Sequence, residues 1–246
     1  MAGPPDLWNR LRALTPARVG LDRAGDAPSL ASVLDFQLAH AHARDAIHRD
    51  LDEAAIMGAL FPREVVRVES RAGDRATYLK RPDLGRRLSE TSATALAHKP
   101  CDVVFVVADG LSATGVQRHA AEVIEAVAPL LAGWRIGPVV LARHARVALG
   151  DEIGERLGAG LVAVLIGERP GLSVSDSLGI YVTHAPRLGR RDSERNCISN
   201  IHGSGGLARQ RAAETLAWLL RQAREKGLSG VRLKDESGRA AGMLPP

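Results

Sequence analysis

Four segments of the 246-residue sequence place polar side chains beside glycines, an arrangement that could bind a ligand. They span residues 109–113, 143–151, 167–171 and 184–200. In the third, Glu168 and Arg169 lie between glycines, which allow a close approach of the backbone to a ligand. A surface turn with an ion pair explains this segment equally well. In the fourth, Cys197 has polar neighbours, although cysteine is usually a small buried residue, and packing is the alternative role.

The sequence lacks the motifs of several well-defined site classes. The Asp109–Gly110 pair is typical of a tight turn with a helix cap, and it belongs to neither a G-x-G-x-x-G nor a phosphate-loop motif. There is no C-x-x-C, H-E-x-x-H or G-x-S-x-G motif, and the histidines are scattered. The residues therefore predict neither a metal site nor a catalytic residue in this chain.

The elements that position these segments are predicted from hydrophobic periodicity. Apolar runs at 102–109, 137–142, 161–166 and 180–183 predict strands, with helices at 112–132, 147–157 and 207–224 and an edge strand at 231–234. Alternating strands and helices predict a mostly parallel sheet flanked by helices, a Rossmann-like α/β fold. Because ligands bind at the carboxyl ends of such strands, the four polar segments are expected to meet at one edge.

The first part of the chain has a different pattern. Residues 1–98 predict a helical N-terminal region, and residues 99–246 predict the α/β domain. Helices are expected at 6–14, 28–52 and 82–97, with a short strand or extended segment at 64–70. The helix at 28–52 carries an apolar stripe of Leu30, Val33, Leu34, Leu38, Ala41, Ile47 and Leu51. The first helix carries Leu7, Trp8, Leu11 and Leu14, for which docking on a partner and packing within the chain are both open.

Composition excludes several classes of protein. The 33 basic and 28 acidic residues give a net charge of +5, but aromatic residues make up only 3% and provide no platform for stacking bases. We therefore expect no nucleic-acid partner. No stretch approaches the roughly 18 apolar residues of a membrane helix, so no membrane partner is expected. The start lacks the layout of a secretory signal, and only two cysteines occur, which favours a reducing cytosol.

Several motifs, in order along residues 5–235, resemble one enzyme family. They include L-D-F-Q-L-A-H-A-H-A-R-D-A at 34–46, A-R-V-A-L-G-D at 145–151, G-E-R-P-G-L-S at 167–173 and S-E-R-N-C-I-S-N at 193–200. Residues 70–85, 102–112 and 176–179 match as well. Together these segments resemble the small subunit of ethanolamine ammonia-lyase, an adenosylcobalamin-dependent enzyme.

The resemblance implies a specific role for this chain. Ethanolamine is converted to acetaldehyde and ammonia, the large subunit carries the substrate site, and the small subunit closes over the corrin from the other side. The cobalamin-contacting positions of the family match Val147, Glu168 and Cys197, none of them catalytic. The family pairs small and large subunits in equal numbers, as a trimer of dimers of such pairs. The resemblance also implies a cytoplasmic enzyme, which is enclosed in a bacterial microcompartment in organisms that have one.

The three residue types suit contact with a corrin. Val147 offers an apolar surface and a backbone amide, Glu168 can accept from an amide N–H, and Cys197 is small and polarizable. Further contacts are expected from Arg146, Arg169 and Asn196. In the alternative interpretation, Glu168 pairs with Arg169 or a neighbour, and Val147 only starts a helix. Two other functional classes stay open: a freestanding α/β nucleotide-binding enzyme or module, and a purely structural assembly subunit.

Overall fold

A computed structural model of the chain describes residues 7–15, 17–21, 23–24 and 26–238. The predicted helix start at residue 6 lies outside the described residues. The α-helices are α1 Leu7–Arg12, α2 Leu30–His48, α3 Glu53–Leu60, α4 Arg75–Lys80, α5 Glu90–Ala95, α6 Ala113–Val127, α7 Leu149–Leu157 and α8 Arg209–Lys226. The strands are β1 Arg23–Ala24, β2 Ala27–Pro28, β3 Val65–Glu69, β4 Cys101–Ala108, β5 Val139–Arg143, β6 Ala159–Gly167, β7 Leu178–His184 and β8 Arg195–Ile201.

A six-stranded sheet forms the centre of the fold, with strand order β3-β5-β4-β6-β7-β8. The first four strands in this order run parallel, β7 is antiparallel to β6, and β8 is antiparallel to β7. Strand β4 is buried on both faces from Val103 to Ala108, as its continuous apolar sequence predicts. The predicted α/β class, with a mostly parallel sheet flanked by helices, is confirmed.

Helices cover both faces of the sheet. Helices α6 and α8 pack on one face and α7 on the other. The Ser112 hydroxyl accepts from the Gly115 N–H at the start of α6, and Gly158 ends α7 with a φ of 73°. Both ends follow from ordinary capping chemistry. At Gly150 a Cβ atom would lie 2.3 Å from Val164, so the glycine lets α7 sit directly on β6.

Two predictions at the edge of the sheet are wrong. Residues 195–201 form strand β8, although their polar sequence was expected to be a loop. The expected strand at 231–234 is replaced by a 3₁₀ turn, Gly230–Arg232. The Asn196 amide donates to the Gly230 and Leu233 carbonyls and so fixes this turn against β8. Which segment forms the edge strand depends on which one packs beside the neighbouring strand. The hydrophobic periodicity of a short polar segment does not indicate whether it will do so.

The helices of the first part are shorter than predicted. The helix expected at 28–52 ends at His48, and Asp52 caps the separate helix α3. The helix expected at 82–97 is interrupted: Leu84–Arg86 is a 3₁₀ turn, and α5 begins after its cap, Ser89. The short strand expected at 64–70 is confirmed as β3, which pairs with β5. The division at residue 98 stays a prediction.

Three leucines of the apolar stripe of α2 are exposed, and the rest of the stripe is half-buried. Leu30, Leu34 and Leu38 are exposed by 73%, 54% and 57%, and the buried residues of this helix are Ala43 and Ala46. Amphipathic periodicity therefore predicted the helix correctly, while nothing in the described chain covers these three leucines. Among the described residues, no helix has the length and apolar composition needed to cross a membrane.

Candidate functional site

The segments that follow β4, β5 and β6 meet at one edge of the sheet, as expected. Val147 lies between β5 and α7, and Glu168 directly follows β6. Both residues line one open cavity of about 330 Å³. Its other lining residues are Tyr78, Gly110, Leu111, Arg146, Ile166, Gly167, Arg169 and Tyr181. Two of the three candidate site residues therefore share one cavity.

The expectation that Cys197 lies in a loop at this edge is wrong. Because β7 runs antiparallel to β6, the chain leaves β7 at the opposite edge and returns through β8. Cys197 therefore lies in the middle of β8, paired in register with Tyr181 of β7. It is exposed, and Tyr181 lines the cavity that holds Val147 and Glu168. Tyr181 thus connects Cys197 to the other two positions.

A second cavity of about 340 Å³ extends this surface. Arg146, Val147 and Tyr181 line both cavities, and the second also includes Pro82, Arg86, Ala148, Asp192 and Arg195. The two cavities lie side by side at the start of α7. The site is consequently a broad, open face, in contrast to an enclosed pocket.

Glu168 is oriented by its neighbours with one oxygen left available. Its Oε2 atom accepts from the Ser177 hydroxyl at 2.5 Å and from the Asn200 N–H at 3.2 Å. Within the described residues, Oε1 accepts no hydrogen bond and Glu168 forms no ion pair with Arg169. The pairing with Arg169 is therefore absent, but Glu168 does pair with two other neighbours, Ser177 and Asn200, as the alternative interpretation allows. Its Oε1 atom is left to accept from a ligand.

The Asp109–Gly110 turn supports the loop that carries Val147. The buried Asp109 carboxylate accepts from the N–H groups of Gly110 at 2.9 Å, His144 at 2.9 Å and Ala145 at 3.0 Å. Burial raises the pKa of this carboxyl, and the hydrogen bonds from Ala145 and His144 oppose that effect. Asp109 therefore holds the 143–148 loop, which follows β5, against the end of β4, while the helix cap after this turn is Ser112.

Glycines bring the strand ends together. Gly110 has a φ of 57°, and a Cβ atom there would lie 2.3 Å from the Gly167 carbonyl oxygen. At Gly167 a Cβ atom would lie 2.0 Å from the Ser112 carbonyl oxygen. The turns after β4 and β6 are therefore in backbone contact, which only residues without a Cβ atom allow.

Tyr78 is a component of the site that the sequence patterns did not reveal. It is fully buried, and its hydroxyl donates to the Ala145 carbonyl at 3.1 Å. The Arg146 guanidinium lies 4.3 Å from the centre of the Tyr78 ring. A Cβ atom at Gly85 would lie 2.9 Å from Arg146 Cγ, so this glycine makes room for the arginine. Only the resemblance of residues 70–85 to the family pointed to this region.

A buried ion pair joins the elements on either side of the site. Arg195 of β8 donates to both carboxylate oxygens of Asp151 in α7, at 2.6 and 2.7 Å. It also donates to the Thr183 hydroxyl at 3.0 Å. The side chains of Arg195 and Asp151 are only 2% and 3% exposed. The pair fixes the strand that carries Cys197 relative to the helix that follows Val147.

Desolvation favours a neutral thiol at Cys197. Desolvation by surrounding protein raises the pKa of Cys197, and the nearby Glu168 carboxylate raises it further, against a hydrogen bond with Tyr181 that lowers it. A protonated thiol is a poor nucleophile.

Asn196, an expected contact, uses its amide to bind Gly230 and Leu233 instead. In the described part of the chain, no group of three or more His, Cys, Asp or Glu residues could hold a metal ion.

Comparison with known proteins gives a consistent result over nearly the whole chain. The family model of the ethanolamine ammonia-lyase light chain (EutC) matches residues 5–234. The ethanolamine ammonia-lyase small subunit of Xanthomonas campestris pv. campestris is 53% identical, over 96% of this chain and 90% of the relative. The small subunit of Pseudomonas syringae pv. tomato is 49% identical, over 96% and 85%. That of Bradyrhizobium diazoefficiens is 50% identical, over 92% and 90%. The chain therefore belongs to the family of ethanolamine ammonia-lyase small subunits.

Proposed function

We propose that this chain is the small subunit of an ethanolamine ammonia-lyase, which converts ethanolamine to acetaldehyde and ammonia, and that it binds one side of adenosylcobalamin. The observation that carries the proposal is the placement of the three family-matched positions. Val147 and Glu168 line one cavity, and Cys197 pairs with Tyr181 of that cavity. A shared ligand of the size of a corrin could contact all three.

The chemistry of the open face fits a corrin. A corrin is an apolar ring with amide side chains at its rim. The face combines the apolar groups of Val147 and Tyr181 with the available Oε1 oxygen of Glu168, which can accept from an amide N–H. A hydrogen bond to a carboxylate is about twice as strong as a neutral one. Because the Cys197 side chain is small, it would not clash with a flat ring placed against β8.

The residues of this chain bind and orient the cofactor. Adenosylcobalamin would supply the radical chemistry through its cobalt–carbon bond. Glu168, held by Ser177 and Asn200, would fix one amide, and Val147 would cover part of the ring. Asp109 keeps the loop of Val147 in place. No residue of this chain is proposed to contact ethanolamine.

An open face of this kind requires a second chain to enclose the cofactor. We propose that the large subunit closes the site, contributes the substrate pocket and assembles with this chain in equal numbers, as a trimer of dimers of large–small pairs. The complex would work in the cytoplasm, inside a bacterial microcompartment where the organism makes one. Nucleic acid and membranes are not proposed as partners.

The test is corrin binding by the assembled complex. The chain is produced with and without the large subunit, and retention of hydroxocobalamin after gel filtration is measured by visible absorbance. Glu168→Ala and Cys197→Trp are expected to weaken binding while the complex still assembles. Glu90→Ala changes an exposed glutamate of α5 that lines neither cavity, and it serves as the matched control.

Each outcome bears on the proposal. Corrin retention by the complex but not by the chain alone supports the role as one side of a shared site. Unchanged affinity in both Glu168→Ala and Cys197→Trp would show that these positions are misassigned. Turnover of ethanolamine by the chain without a partner would favour a freestanding enzyme. Equal corrin affinity of the large subunit with and without this chain would favour a purely structural subunit.

A further inference from the structure

Unpaired buried nitrogen atoms gather around Tyr78. Within the described residues, four buried side-chain nitrogens lack a hydrogen-bond partner, on Arg75, His119, His144 and Arg146. Three of these four residues pack against the Tyr78 ring: Arg75 at 5.1 Å, Arg146 at 4.3 Å and His144 at 6.1 Å from its centre. Buried polar groups are nearly always paired, because losing water without a replacement costs free energy. Bound water or a ligand is therefore needed to supply acceptors around this ring, and only a residue that reaches the open face could meet a ligand there.

Arg146 is the member of this group that faces the open surface. It lines both cavities, whereas Arg75 and His144 line neither. Its Nη2 atom donates weakly to the Tyr78 carbonyl at 3.4 Å, and its Nε atom is buried without a partner. Stacking on Tyr78 and the space left by Gly85 hold the planar guanidinium in position.

We infer that Arg146 is a ligand-binding residue whose guanidinium donates to an acceptor oxygen of the bound cofactor, with Tyr78 and Gly85 as positioning residues. The inference rests on the proposed function. Cobalamin offers two kinds of acceptor: the carbonyl oxygens of its rim amides and the oxygens of its phosphodiester. A guanidinium supplies several donors in a fixed plane and suits either. Arg146 thereby complements Glu168, which accepts from amide N–H groups of the same kind of ligand.

The experiment compares two probes on the complex with the large subunit. Hydroxocobalamin contains the phosphodiester, and cobinamide has the corrin amides but lacks the phosphodiester and the nucleotide. Each is titrated into complexes that carry Arg146→Met or Arg146→Lys, and binding is followed by visible absorbance. Loss of a charged hydrogen bond predicts a roughly ten- to one-hundred-fold weaker affinity for Arg146→Met. Arg146→Lys, which keeps the charge but not the planar fork, is expected to be intermediate.

The pattern of losses identifies the acceptor. Equal weakening for both probes assigns Arg146 to a rim amide, and weakening for hydroxocobalamin alone assigns it to the phosphodiester. The control is Arg187→Met, an exposed arginine outside both cavities, with assembly checked by gel filtration. Wild-type affinity for both probes in assembled Arg146→Met would overturn the inference and leave the proposed function intact. An unmodified complex that binds neither probe would overturn both.

Discussion

Replacing Arg195 by methionine tests whether the buried ion pair maintains the site. Methionine keeps an unbranched apolar stem but carries no charge, so Asp151 would stay buried without its partner. Arg195 makes two bonds to this carboxylate, at 2.6 and 2.7 Å, and one to the Thr183 hydroxyl at 3.0 Å. Removing one partner of such a pair destabilises a protein by about 3–5 kcal/mol. The exposed Asp192, the other acidic neighbour of Arg195, is not expected to contribute measurably.

The loss should depend on pH in a defined direction. Burial already raises the pKa of Asp151, and Arg195 opposes this effect. Without Arg195 the folded-state pKa rises further above the unfolded value, so the folded variant takes up a proton as the pH falls. Protonation removes the buried charge. The deficit of Arg195→Met relative to wild type is therefore expected to be largest near neutral pH and smaller at about pH 5.

Urea unfolding followed by tryptophan fluorescence measures the free energy of unfolding of Arg195→Met and of the wild type at both pH values. The matched control is the double variant Arg195→Met with Asp151→Leu, which removes both charges and should recover most of the lost stability. Corrin retention by the complex is measured in parallel, because the pair joins β8 to α7. A loss below about 1 kcal/mol at neutral pH, or a double variant no more stable than the single one, would refute the reasoning.

Two further predictions concern the acid limit of stability and the contact between strand ends. Burial acts to raise the pKa of Glu152, but the Leu88 N–H and the Arg87 guanidinium outweigh it, and the pKa lies below its ordinary 4.5. Glu152 therefore stabilises the fold above pH 4.5, and this stabilisation is lost as the pH falls through the folded-state pKa. In urea unfolding, the free energy of unfolding of Glu152→Gln should fall less steeply with decreasing pH than that of the wild type. The same slope in both proteins would contradict this. Gly110→Ala places alanine in a left-handed backbone conformation and brings its Cβ atom against Gly167. The free energy of unfolding is expected to fall by about 1–3 kcal/mol, and corrin retention by the complex to weaken. Wild-type values for both quantities would contradict this prediction.

The exposed stripe of α2 shows how periodicity and packing differ. The i, i+4 spacing of Leu30, Leu34 and Leu38 predicted a helix, and α2 confirms it. The same spacing is typical of a face that packs against something, but these side chains are more than half exposed. A sequence pattern reports that a face is apolar, and only the folded chain shows whether its own residues cover it.

The candidate site was predicted in part. Motif matches pointed to Val147 and Glu168, and the rule that ligands bind at the carboxyl ends of parallel strands placed both at one edge. The position of Cys197 was wrong because the rule was extended to β7, whose antiparallel direction has no signal in its apolar sequence. Tyr78 and Tyr181 were missed since a single aromatic residue in a short helix or strand carries no periodic signal.

By itself, the sequence determined the elements whose cause is local. Continuous apolar runs specify β4 and β6, Ser112 and Gly158 specify helix ends, and the ordered motifs specify the family. Tertiary structure alone decided the strand order, the direction of β7, the pairing of Asp151 with Arg195 and the stacking of Arg146 on Tyr78. These features depend on contacts between segments far apart in the chain, whose free energies come from burial and pairing that exist only once the segments have met.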